Sequence, residues 1–395
     1  MIIKPFKPLV FRKDIKNVTS PPFDVISKDQ ETALKESHYN ITHITLPENG
    51  GPAGSRRLLS EWVGEGAIAK EKDPCLIVIT QDFRANNKDF TRIGLIAPVE
   101  TSPPAGIVIP HEDTFDWAVR ERRNLMEATG CQLEPIFLAV NGVSFERMLR
   151  SAIRGLEPFR KFEEPVGVTN TCFAIHDEHS INSIIKAVSK ENAVVADGHH
   201  RLQATTQLFR ETQDESREFW RYSFAYVTSL QQESLMISGI HKLMSNQYSF
   251  SRIREDVGKY FQIDESGPND FSEKITIYDG KYHVLTPLDS AFEELGEFGK
   301  FGFKADPGLV NHLIFMKIMG LSIGEVAAKV TYTQSIPFAA EEVDKGRAGF
   351  AVLMPEWDKS VFLSMIEKGR IMPQKSTYFY PKIPSGIAIY CRDFL

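Results

Sequence analysis

The chain is poor in cysteine, with four in 395 residues, at positions 75, 131, 172 and 391. Their wide spacing fits neither a disulfide framework nor a zinc motif, so reduced and mostly buried thiols are expected. No apolar run approaches the length of a bilayer crossing. The opening Met1–Pro8 has prolines at 5 and 8 and no apolar stretch, so no secretory leader is expected. These features together point to a cytoplasmic protein without a membrane partner. Positive charge is not in excess. Lys and Arg number 46 against 52 Asp and Glu, a net −6. That argues against nucleic acid as a partner, because non-specific affinity comes from neutralising phosphates. A local basic pocket for a small anion is still compatible with it. There is no internal repeat and no low-complexity tract. Lys375-Ser376-Thr377 stands in Walker order, but no glycine-rich loop precedes it. His111-Glu112 begins like a zinc-protease motif, yet Phe115 stands where the second histidine is needed.

The composition that is present, 42% hydrophobic and 25% charged, is ordinary for a globular chain. Apolar runs at 76–80, 92–99, 193–196 and 222–228 read as strands, and 120–129, 145–153, 180–188 and 202–213 read as helices. Interleaved in this way they predict an α/β (α+β) fold, a mixed sheet with flanking helices. The short gap between 76–80 and 92–99 suggests a hairpin within it. Past His241 the pattern changes. Asp279-Gly280 between two apolar runs signals a second hairpin, and 243–348 reads as a smaller appended α+β domain. The main domain is then 1–242, and 349–395 is expected to pack back on it.

The densest chemistry lies at Ala193-Val-Val-Ala-Asp-Gly-His-His-Arg201. A buried strand stops at Asp197-Gly198 and a helix follows. The first N–H groups of a helix lack partners within it and carry partial positive charge, so an anion is favoured there. Gly198 allows close backbone approach, and His199, His200 and Arg201 add donors and charge suited to phosphate. The plainer alternative is that Asp197 caps the helix and Arg201 pairs with a carboxylate.

Three other stretches are candidates. Pro21-Pro22-Phe23-Asp24 is a rigid turn that holds a carboxylate. His111-Glu112 follows a strand, and Glu112 is placed to accept a proton from a hydroxyl, with a paired loop carboxylate as the alternative. Lys375, Ser376 and Thr377 sit in an aromatic, cationic segment, 372–382, that could neutralise phosphate. His176-Asp177-Glu178-His179 looks like a metal cluster, but consecutive residues rarely converge on one ion.

Four motifs now stand in order: Pro-Pro-Phe-Asp-Val-Ile-Ser at 21–27, His-Glu-Asp-Thr at 111–114, Ala-Asp-Gly-His-His-Arg at 196–201 and Met-Pro-Gln-Lys-Ser-Thr-Tyr-Phe-Tyr-Pro-Lys at 372–382. The set resembles the domain of unknown function 1015 family over nearly the whole chain. It departs from the family pattern at Lys242, where arginine is expected, and at Phe23, where tyrosine is commoner. The Asp-Gly-His-His-Arg element is similar to the phosphate-binding motif of the ParB/sulfiredoxin superfamily, which includes kinases of free L-serine. Sulfiredoxin's motif cysteine is missing here, as is a helix-turn-helix region.

The resemblance implies a ParB/sulfiredoxin-like core and a small-molecule kinase that moves a nucleotide phosphoryl group to a metabolite hydroxyl, with L-serine as the model acceptor. Asp197, Gly198, His199, His200 and Arg201 would hold the phosphates of ATP or ADP, with Lys375, Ser376 and Thr377 completing the cage. Asp197 would help to hold Mg²⁺. Glu112, then Asp24, would be the base, with His111 beside it. The alternatives are a nucleotide-binding regulatory module without turnover and a phosphate-ester hydrolase.

Overall fold

A computed structural model describes residues 1–48, 50–85, 87–102, 108–265, 274–296, 303, 305–369 and 371–392. The chain divides into two compact units. The first comprises 1–110, 114–236 and 381–395, the second 111–113 and 237–380.

The first unit is built on an eight-stranded mixed sheet. Its strands are β1 (Leu76–Ala85), β2 (Lys88–Glu100), β3 (Val108–Ile109), β4 (Ile136–Val140), β5 (Arg160–Glu163), β6 (Thr169–Ile175), β7 (Ala193–Asp197) and β8 (Tyr222–Ser229). Their order across the sheet is β3-β7-β4-β8-β2-β1-β6-β5. β1 and β2 form the expected hairpin, antiparallel from Ile77 opposite Ile96 to Ala85 opposite Lys88. β7 runs parallel to β3 and antiparallel to β4, while β4 and β8 are parallel. Helices α1 (Asp116–Thr129), α2 (Val143–Ala152), α3 (Glu178–Val188) and α4 (His199–Glu211) flank this sheet. Apolar side chains such as Val78, Leu95, Leu138, Val195 and Val227 are fully buried with Phe145 and Ile184 of the helices. At about 1.5–3 kcal/mol for each such side chain removed from water, this burial is the main source of stability.

The second unit has a six-stranded antiparallel sheet of β9 (His241–Ser245), β10 (Phe261–Glu265), β11 (Ile275–Tyr278), β12 (Tyr282–Pro287), β13 (Val330–Thr333) and β14 (Ala348–Leu353). The order is β10-β12-β11-β14-β9-β13. β11 and β12 are joined at Asp279-Gly280, with Gly280 at φ 97° as the tight turn needs. The segment 349–395, expected to return to the first domain, is divided. Its opening residues lie in β14, in the interior of the second unit's sheet, and the first unit takes back only 381–395. An apolar strand carries no local sign of which sheet will bury it.

The cysteines also depart from expectation. Cys131 and Cys391 are joined in a disulfide, while Cys75 and Cys172 are buried and free. The pair lies directly across two short antiparallel strands, Cys131–Gln132 and Tyr390–Cys391. Pairing across 260 residues leaves no trace in cysteine spacing. The bond also removes free thiols as an argument for a reducing compartment. Among the described residues no single helix is long and apolar enough to cross a membrane.

Candidate functional site

β7 delivers Asp197 to the end of the first unit's sheet, and Gly198 turns the chain into α4. Gly198 adopts φ 89°, and a Cβ there would lie 3.0 Å from Ile136 Cγ2 and 3.1 Å from Arg201 Nε. Left-handed backbone in a tight space requires glycine. Asp197 does not cap the helix, and no side chain makes a cap hydrogen bond to it. The Asp197 carboxylate instead accepts from Arg201 Nη2 at 2.5 Å on one oxygen and from Lys382 Nζ on the other. Arg201 Nη1 donates to the carbonyl of Pro135 at 2.6 Å. Burial alone would raise the Asp197 pKa. The positive charges of Lys382 and Arg201 overcome it, against repulsion from Asp24, and hold the carboxyl below its ordinary value.

That repulsion places Asp24 within electrostatic reach of Asp197. Asp24 lies in a one-turn helix, Phe23–Val25, behind two prolines. The Phe23 N–H donates to Glu134 Oε1 at 3.1 Å, and the Arg122 guanidinium lies 3.9 Å over the Phe23 ring. Ser385 Oγ donates to the same Glu134 oxygen at 2.7 Å. Glu134, 5% exposed, thereby ties the Asp24 turn to the C-terminal segment that carries Lys382. The backbone of that segment is held as well. Gln81 Nε2 donates to the Lys382 carbonyl at 3.0 Å, and Arg92, fully buried, donates to the Pro381 carbonyl. One carboxylate and two cations are thus fixed beside an uncapped helix N-terminus, with the Asp24 charge acting on Asp197 by repulsion.

His199 is 9% exposed. His200 accepts at Nε2 from the Phe115 N–H (3.0 Å), which places its ring proton on Nδ1. Its ring lies parallel to Phe115, 7° apart in plane and 6.2 Å between centroids.

His111, Glu112, Lys375, Ser376 and Thr377 belong to the second unit. Glu112 Oε2 accepts from the Lys375 N–H at 3.1 Å. Its Oε1 accepts from the Ser376 N–H at 3.1 Å and from Thr377 N–H and Oγ1, both at 2.9 Å. Lys375, at φ 56°, turns these successive N–H groups toward the carboxylate. The Thr377 hydroxyl spends its proton on Glu112 and so accepts from His111 Nε2 at 2.9 Å. The cradle expected to take phosphate is therefore filled by the protein's own carboxylate. Beside it, Lys242 is 1% exposed, with Nζ 3.4 Å from the carbonyls of Ile240 and Lys375. Burial pushes its pKa down to about 8, partly offset by Glu112. His241 accepts from the Met354 N–H, and burial and Lys242 lower it to about 4, so it is neutral at pH 7.

The donor set does not fit a magnesium ion held by the protein. Both oxygens of Asp197, the expected ligand, are already neutralised by Arg201 and Lys382. Among the described residues no three His, Cys, Asp or Glu side chains converge. The run 176–179 is a helix start, with Asp177 capping the Ser180 N–H at 2.8 Å. Sequence reasoning missed Lys382 and Glu134. Lys382 stood inside a noted motif, but nothing local linked it to an aspartate 185 residues earlier.

Comparison with known proteins covers the first three motifs, while the fourth, at 372–382, lies beyond the residues matched. No curated protein matches the chain. Similar solved structures include a conserved hypothetical protein from Pyrococcus furiosus, 12% identical over 72% of this chain and 92% of that one, TM-score 0.40. Another is a free serine kinase in complex with AMP, 13% identical over 69% and 83%, TM-score 0.37. A third is SbnI with a C-terminal truncation from Staphylococcus aureus, 11% identical over 74% and 87%, TM-score 0.40. The profile of the family described as "Protein of unknown function (DUF1015)" matches residues 3–304, and the chain belongs to that family.

Proposed function

We propose that the first unit binds a nucleotide through its phosphates at the N-terminus of α4 and transfers one phosphoryl group to the hydroxyl of a small molecule. The observation that carries this reading is the direction of the Asp197 side chain. The N-cap of α4 is Gly198, which has no side chain, and Asp197 before it faces Arg201 and Lys382. The helix N-terminus is left to an anion, with two cations alongside.

Phosphoryl transfer needs positioning and charge stabilisation more than covalent help. Backbone N–H groups of the first turn of α4 would hold the phosphates, and Arg201 and Lys382 would offset charge on the transferring group. Asp24, fixed by Phe23 and Glu134 beside this cluster, is the better base. Glu112 already accepts from four donors in the second unit. In the step, the acceptor oxygen bonds to the terminal phosphorus, the bridging P–O bond breaks toward the departing nucleotide, and the hydroxyl proton passes to Asp24. Magnesium would enter with the nucleotide phosphates. L-Serine is the acceptor to try first, on the strength of the motif resemblance.

The test is phosphorus NMR of the protein with Mg²⁺, L-serine and either ATP or ADP. A new phosphomonoester resonance that requires serine, and is lost in Asp24→Asn but kept in Glu112→Gln, supports the reading. Loss of nucleotide without serine points to a hydrolase. Broadened nucleotide lines without turnover point to a regulatory module. No binding removes the nucleotide.

A further inference from the structure

Trp117 is 63% exposed on the first turn of α1, while the other three tryptophans are at most 7% exposed. A large indole left in water forfeits considerable burial energy. Its surroundings are ordered. The Trp117 ring lies 6.0 Å from that of Phe115 with 25° between planes, and Phe115 in turn lies parallel to His200. His200 is in the first turn of α4, and the Phe115 N–H bonds directly to it. Three near-parallel rings therefore lead from the proposed phosphate end to an open indole face. Planar heterocycles stack on such faces whatever their hydrogen-bonding edges.

We infer that Trp117 is the stacking platform for the base of the nucleotide whose phosphates lie at the N-terminus of α4. This rests on the proposed nucleotide reading and adds to it the base end of the site. It also assigns a task to the Phe115–His200 contact, which fixes the platform relative to the helix. Stacking reads ring area rather than edge pattern, so this residue favours purine over pyrimidine nucleotides without selecting adenine from guanine.

The experiment is calorimetric titration of the full chain with ADP and, separately, with inorganic pyrophosphate, which has no base. In Trp117→Ala the affinity for ADP is expected to fall about tenfold or more, with pyrophosphate unchanged and with Trp117→Phe recovering most of the loss. In wild type, ADP should also shield the exposed indole emission from acrylamide, and pyrophosphate should not. Unchanged ADP affinity in Trp117→Ala overturns the platform and leaves the nucleotide reading standing. Equal losses for ADP and pyrophosphate overturn it as well, since Trp117 would then act on the phosphate end. If wild type binds neither compound, the nucleotide reading fails, and the platform with it.

Discussion

Asp197 shares two cations, and removing one leaves a buried, half-compensated charge. In Lys382→Met the carboxylate keeps Arg201 alone, so burial dominates its pKa, which rises. Breaking one arm of a buried ionic cluster costs about 3–5 kcal/mol. The sign with pH follows from the wild-type direction. A carboxyl held below its unfolded value contributes stability above that value and loses it as pH falls through the folded one. The difference between wild type and Lys382→Met should therefore be full at neutral pH and vanish on acidification below the ordinary carboxylate range. Urea unfolding of both proteins at several pH values checks this, with Asp197→Asn added to Lys382→Met as the partner that restores part of the loss. A penalty that does not change with pH would mean that Lys382 stabilises through its aliphatic stem. Much of this cluster was legible as residue types: Asp197, Gly198 and Arg201 follow from a strand stop, a turn and a helix start. Their partners were not, because Pro135 and Lys382 meet Arg201 and Asp197, and Glu134 meets Phe23 and Ser385, through folding rather than through spacing.

At the level of elements, local pattern carried far. The β1–β2 hairpin, β7 and its helix, and the Asp279-Gly280 turn all lie where alternation and turn chemistry put them. The C-terminal segment was not readable in this way. It pairs at Ile389 with Leu9, at Ser385 with Ser20 and at Cys391 with Cys131, all distant in sequence. The disulfide sits at the far end of the stretch that presents Lys382 to Asp197. A bond that closes so long a loop restricts the unfolded chain strongly, and removing it typically costs about 2–5 kcal/mol. A dithiol reductant is expected to lower the unfolding midpoint of wild type and to leave Cys391→Ser, already lowered, unmoved. Thermal scans with and without reductant decide it. Equal midpoints in all four samples would show that the backbone pairings hold the segment unaided.

Over the whole molecule, each unit has its own sheet and its own buried apolar cluster. Two such cores can unfold in separate transitions, and a charge buried in one offers a label for it. Lys242 lies in β9, within the interior of the second sheet. Its folded pKa of about 8 is below the ordinary value of 10.5. Between these values the unfolded chain holds a proton that the folded one has released, so stability from this group rises with pH across that window and falls back as pH drops through about 8. At roughly 1.4 kcal/mol per pKa unit the span is on the order of 3 kcal/mol. At pH 7 the full cost of the buried ammonium is present, so Lys242→Met should raise the second unit's transition there and flatten its climb from pH 8 to 10. Calorimetry at pH 7, 8, 9 and 10 reads this directly. The transition that shifts with Lys242→Met should differ from the one that shifts on reduction, because Cys131 and Cys391 belong to the first unit. A lower transition in Lys242→Met would mean that the ammonium is needed by Glu112. A single transition that moves with both changes would make the two units one cooperative body.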